Sequence, residues 1–180
     1  EDGFEIYTRS QDAVCLWNRL LETGKTFNLT SCGLGARDIL RIEAGYPLYG
    51  HEIDEDTDPY RAGLAWVVKE KKHFTGKTAL MRLEAGRRRY RRIGFIAEGR
   101  AFPRKGYLLF KDGKEIGYVT SGTYSPNLEK FIGMGYVDVS GKIESCEIKI
   151  RGQFHNALVV KLPFVETRTV NAKSYRLIRD

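Results

Sequence analysis

The sequence predicts an α+β protein, a partial α/β lobe over residues 1–86 followed by a small antiparallel β-barrel over residues 87–180. Three observations predict it. Apolar residues recur at helical spacing through the first half of the chain. Beyond Arg87-Arg88-Arg89-Tyr90-Arg91-Arg92 short strand-like runs replace them. Between two of those runs sits Asp112-Gly113, a pair that favours the tight turn of a hairpin. The 19 glycines against 5 prolines agree with a turn-rich, β-heavy chain.

In order, Gly3 to Thr8 alternates apolar and polar residues, as a half-buried strand does. Ser10 is placed to cap a helix that carries Val14, Leu16, Trp17, Leu20 and Leu21 on one broad face and stops at Gly24. A second helix is expected from Gly35 to Ala44, with Ala36, Ile39, Leu40 and Ile42 near helical spacing and Gly45 and Pro47 ending it. Glu52 to Pro59 is acidic and reads as a solvated loop. Leu64 to Val68 reads as a buried strand, and Thr75 to Leu83 as a short helix.

Past the arginine run, strands are expected at Ile93–Ile96, Tyr107–Phe110, Glu115–Thr120, Phe131–Val139, Ser145–Arg151 and Ala157–Leu162. Such even spacing of short strands with little helix indicates a small barrel or sandwich. Thr120 to Pro126 reads as a polar turn between two of these strands.

Composition narrows the function classes. A 42% hydrophobic content excludes a disordered tail. The net charge of +7 suits an acidic partner, a polyanion or a plain solvated surface. Cys15, Cys32 and Cys146 form no C-x-x-C pair, and His51, His73 and His155 are scattered, so neither a disulfide framework nor a metal site is expected. A reducing compartment is expected. No stretch has the ~20 apolar residues of a membrane-spanning helix. The chain begins at Glu1 without an initiator Met, on a strand-like segment, which reads as a fragment.

Five stretches together carry a resemblance. They are Glu1-Asp2-Gly3-Phe4-Glu5-Ile6, Leu34 to Gly45, Pro47 to Asp54, Ile116 to Pro126, and Val160-Lys161-Leu162-Pro163-Phe164. In kind, order and spacing they resemble the C-terminal half of the glycine-cleavage T-protein family, and the resemblance spans almost the entire chain. It implies a three-lobed fold with tetrahydrofolate, a substrate, in a central channel. It further implies transfer of an aminomethyl group from the lipoyl arm of H-protein, with release of ammonia. By this resemblance residues 1–86 complete the folate-binding middle domain and residues 87–180 form the C-terminal barrel domain. The implied compartment is the cytoplasm of a bacterium or the mitochondrial matrix of a eukaryote.

The resemblance also nominates residues. Glu5 matches the family's pterin-holding glutamate. A carboxylate accepts two parallel N–H donors at once, as the 2-amino-4-oxo edge of a pterin presents them; otherwise Glu5 is an exposed strand residue. Arg37 matches the arginine of the family's A-R-D segment that lines the folate site, and its planar fork suits a carbonyl or carboxylate; alternatively it pairs with Asp38 or Glu43. Arg41 and Glu43 read as structural. Where some members carry a tyrosine after the Pro-Phe pair, this chain has Thr169 by counting, and Arg168 is the candidate to reach the folate instead. Tyr124 is a weaker candidate for stacking on the aminobenzoyl ring. The family's catalytic aspartate falls in the other half of the fold, so no residue here is expected to be catalytic and the fragment alone is expected to be inert.

The run from Arg87 to Arg92 invites a nucleic-acid reading, but no RNA-binding motif or stacking pattern accompanies it. Docking of the acidic H-protein, or a solvated surface, is the better expectation. Rival readings are the C-terminal half of a folate-dependent dimethylglycine or sarcosine dehydrogenase, and a non-enzymatic β-barrel binding module. The iron–sulfur-maintenance relatives carry a cysteine where this chain has Phe74. An interrupted lobe would also expose apolar surface and favour self-association.

Overall fold

The computed structural model of the chain describes residues 4–86, 90–138 and 141–166. The chain divides into two compact units, Glu1–Asp38 with Thr167–Asp180, and Ile39–Glu166.

In the first unit, a single turn of 3-10 helix, Ser10–Asp12, leads into helix α1, Ala13–Gly24. Ser10 belongs to that turn and does not cap the helix, and no side chain caps α1. Gly24 ends it as expected. A Cβ at Gly24 would lie 2.4 Å from the Leu29 Cβ, where the chain folds back and the Leu29 N–H donates to the Gly24 carbonyl at 3.0 Å. The apolar face of α1 lies open, with Trp17 54% exposed. The strand expected from Gly3 to Thr8 does not form among the described residues, and Phe4 and Ile6 are exposed. Alternation alone makes no strand, because the backbone needs a neighbouring ladder to satisfy its donors and acceptors.

Helix α2 runs Leu34–Glu43 and crosses from the first unit into the second. Gly45 (φ +69) closes it: the Gly45 N–H donates to the Ile42 carbonyl and the Tyr46 N–H to the Arg41 carbonyl, both at 2.8 Å. That pair of bonds is the Schellman cap that a left-handed glycine permits. Helix α3, Lys77–Gly86, begins two residues later than its expected start. Leu64 to Val68 is not a buried strand. Ala65–Val67 forms a 3-10 turn in which Trp66 and Val67 are exposed, since no sheet edge receives it.

The second unit contains a closed barrel of six antiparallel strands: β1 Tyr90–Ala97, β2 Leu108–Lys111, β3 Lys114–Ser125, β4 Lys130–Asp138, β5 Ser145–Ile150 and β6 Gln153–Val160. The order is β1-β4-β3-β2-β5-β6, and pairing of Gly94–Ala97 with Ala157–Val160 closes it. Asp112 and Gly113, both at positive φ, make the expected hairpin turn between β2 and β3. Inward-facing Ile93, Phe95, Leu109, Val119, Val137, Ile148 and Ala157 fill the interior.

Strand β4 is buried on both faces. Its Ile132 and Met134 pack with Ile42 of α2, flanked by Ile96, Leu128, Leu162 and Phe164, as a second core on the outside of the barrel. Between them Gly133 lets the layers close: a Cβ there would lie 2.5 Å from Phe95 Cζ and 2.9 Å from the Ser121 carbonyl oxygen. Gly133→Ala is expected to destabilise the protein by about 1–3 kcal/mol through overpacking, read as a lower denaturant midpoint.

Candidate functional site

Strand β3 continues through the segment expected to be a polar turn, and the turn lies at Pro126 to Glu129 instead. Thr120, Ser121, Thr123 and Ser125 are buried strand residues. Buried hydroxyls need partners, and two buried carboxylates serve two of these four, Thr120 and Ser125. Glu52 accepts from Thr120 Oγ1 at 2.6 Å on one oxygen, and from Arg41 Nη1 at 2.8 Å and the Leu48 N–H at 3.1 Å on the other. Arg41 Nη2 in turn donates to Ser121 Oγ at 2.9 Å, and His51 Nδ1 stands 3.3 Å from both Ser121 Oγ and the Thr120 carbonyl. The register shift at Val119/Ser121 lets neighbouring hydroxyls meet this one cluster.

Glu43 anchors a second cluster. Its carboxylate accepts from Ser125 Oγ and from Asn127 Nδ2, the latter at 2.7 Å. Its carbonyl accepts the N–H groups of Phe164 at 2.9 Å and Val165 at 3.1 Å. Arg41 and Glu43 thus each occupy a buried network, and the carboxylate beside Arg41 is Glu52. The acidic stretch 52–59 is therefore not wholly solvated, because Glu52 is 1% exposed. Asp54, fully exposed, is held below the usual carboxylate range mainly by a hydrogen bond from the Thr57 hydroxyl.

The arginine run is likewise split. Arg87, Arg88 and Arg89 lie outside the described residues. Arg91 is exposed and donates to the Gly141 carbonyl at 2.6 Å. Arg92 is half-buried and donates to the Gly45 carbonyl at 2.9 Å, and burial pulls its guanidinium below the ordinary value. Arg61 stacks over Tyr90 and Tyr136 at 4.8 and 4.7 Å and donates to the Tyr118 hydroxyl at 3.2 Å, which pins the loop around residue 61 to the barrel wall.

The Tyr136 hydroxyl donates to the Glu52 carbonyl at 2.8 Å, and burial pushes its pKa up to about 12 from the ordinary 10. Burial also pushes the Cys146 thiol up to about 11 from 9. Both groups hold their protons more tightly folded than unfolded. Their contribution is complete below the unfolded values and is lost as pH rises through the folded ones. Thermal midpoints are expected to fall across pH 9 to 12, and Tyr136→Phe to flatten the upper part of that fall.

A groove of about 610 Å³ lies along Ile96, Tyr124, Lys130, Phe131 and Leu158. Tyr124 meets Phe131 edge-on with centroids 5.2 Å apart.

Of the nominated ligand-binding residues, Glu5 sits in the first unit in a segment without helix or strand, exposed, and accepts from the Tyr7 hydroxyl at 2.8 Å. Arg37 is exposed on the first turn of α2. The two are not hydrogen-bonded to each other among the described residues. Arg168 lies outside those residues. Among the described residues Glu5 accepts from Tyr7 alone, which leaves lone pairs on both oxygens for a pair of parallel N–H donors, and no acceptor meets the Arg37 fork. Sequence reasoning passed over Glu52, His51 and Tyr7. The available signal for Glu52 was its place between His51 and the apolar Ile53, ahead of the exposed Asp54-Glu55-Asp56.

Two family models match the chain in succession, one described as the GCVT N-terminal domain over residues 1–72 and one as the glycine cleavage T-protein C-terminal barrel domain over residues 90–166. The chain belongs to the glycine cleavage T-protein family.

Relatives in this family include an aminomethyltransferase of Halothermothrix orenii, 46% identical over 168 residues that make up 92% of this chain and 47% of the relative. Another, from Thermosipho melanesiensis, is 48% identical over 91% of this chain and 45% of the relative. A crystal structure of the glycine cleavage system aminomethyltransferase T from Bartonella henselae superimposes with a TM-score of 0.78 at 36% identity, covering 88% of this chain and 45% of that one. The chain spans about half the length of the T-protein relatives it matches. No helix among the described residues is long and apolar enough to cross a membrane.

Proposed function

We propose that this chain is the folate-holding half of a glycine-cleavage aminomethyltransferase, with residues 1–86 completing the folate-binding domain and residues 87–180 forming the C-terminal barrel domain. The observation that carries the reading is the succession of the two family matches in one chain, at about 45% identity to proteins named aminomethyltransferase. Bound tetrahydrofolate accepts the one-carbon unit delivered by the lipoyl arm of H-protein as ammonia leaves. In this chain Glu5 accepts the paired N–H donors of the pterin edge, and Arg37 presents its fork to a carbonyl or carboxylate of the same ligand. Arg168, outside the described residues, is the basic group proposed to contact the folate where some relatives carry a tyrosine. The arginine run from Arg87 to Arg92 receives the acidic H-protein. The group that activates the folate nitrogen comes from the part of the family fold that this chain does not match, so the chain alone holds its ligand poorly and turns nothing over. The compartment follows the family, bacterial cytoplasm or mitochondrial matrix.

The test supplies aminomethylated H-protein and tetrahydrofolate to this chain mixed with the part of the Halothermothrix orenii relative that it does not match. Ammonia is expected from the mixture and from neither component alone. A silent mixture, under conditions where the intact relative releases ammonia, contradicts the reading.

A further inference from the structure

We propose that Tyr7 is a positioning residue for Glu5, and that the pair selects ligands presenting two adjacent, coplanar N–H donors. The inference deepens the folate reading above and rests on it.

Residues 4–8 form neither helix nor strand. The side chains of Glu5 and Tyr7 meet within this segment. The Tyr7 hydroxyl donates to Glu5 Oε2 at 2.8 Å. A carboxylate offers about four lone-pair sites. Among the described residues Tyr7 alone takes one, on Oε2, which leaves one on that oxygen and both on Oε1. A flat pair of donors needs one site from each oxygen, so the ligand's sites stay open while the carboxylate plane and the glutamate torsions are fixed. Without the hydroxyl, the ligand itself must order a flexible side chain on binding. The proton of Tyr7 is spent on Glu5, so its effect on a ligand passes through the carboxylate. Tyr7 is 89% exposed, so removal of its hydroxyl disturbs little packing and isolates this contribution.

The experiment uses this chain assembled with the unmatched part of the Halothermothrix orenii relative. Three ligands are titrated: tetrahydrofolate, a pterin carboxylate that carries only the head, and p-aminobenzoylglutamate that carries only the tail. Tyr7→Phe is expected to weaken the two pterin-bearing ligands about three- to tenfold, the scale set by ordering one long side chain. It is expected to leave the tail fragment and the thermal midpoint unchanged. In a Glu5→Gln background the same substitution adds little. The inference is overturned if Tyr7→Phe binds pterins like the parent, if it weakens the tail fragment equally, or if its loss adds in full to that of Glu5→Gln. If Glu5→Gln itself binds like the parent, the folate-site reading falls first.

Discussion

Glu52→Gln is expected to destabilise the barrel unit by about 3–5 kcal/mol, the cost of stranding one member of a buried ion pair. The substitution keeps the shape of the side chain but removes the charge opposite Arg41, whose guanidinium is 2.8 Å away and 8% exposed. Solvent cannot screen that loss, since the Glu52 side chain is fully buried. The same atoms also hold the Leu48 N–H and the Thr120 hydroxyl, so one change disturbs the 48–52 loop, α2 and β3 together. Denaturant melts of the single variant and of Arg41→Met with Glu52→Leu separate the two contributions. The double variant is expected to recover much of the loss, because an apolar pair of similar volume leaves no stranded charge. A single variant as stable as the parent would show that the cluster carries no net weight.

Glu5→Gln is expected to act on binding instead. It removes the proposed charge-assisted contact, worth about 1.5–3 kcal/mol, and tetrahydrofolate should bind at least tenfold more weakly to the assembled protein. Glu5 is exposed and, among the described residues, bonded only to the Tyr7 hydroxyl, so the melting midpoint should not move. Glu43→Gln is the control with the opposite signature. It disrupts the buried bonds to Ser125 and Asn127, so it should lower stability and spare folate affinity in the fraction that remains folded. Calorimetry beside thermal melts reads both, and equal folate affinity for Glu5→Gln and the parent would remove Glu5 from the site.

The barrel was legible because its strands announce themselves locally: short apolar runs in β1 and β2, alternation in β5, and a turn pair whose positive φ values Asp112 and Gly113 tolerate. What escaped was set by partners distant in sequence. Thr120 to Ser125 looks like a turn because its residues are polar, yet the hydroxyls at its two ends are buried against Glu52 and Glu43, 68 and 82 positions away. Glu52 looks like its acidic neighbours until Arg41 is brought beside it. Gly3 to Thr8 has a strand's pattern and no ladder to join, and Leu64 to Val68 is apolar enough for a strand but turns as 3-10 helix. Of the site, the resemblance nominated Glu5 and Arg37, whereas the hydroxyl of Tyr7 on Glu5 is visible only in three dimensions.

The central claim is tested most directly by titrating tetrahydrofolate calorimetrically into this chain, first alone and then mixed with the part of the Halothermothrix orenii relative that it does not match. The account predicts heat of binding from the mixture and little or none from the chain alone. No folate binding in either case, with the intact relative binding under the same conditions, would contradict the transferase reading and leave a barrel that binds something else.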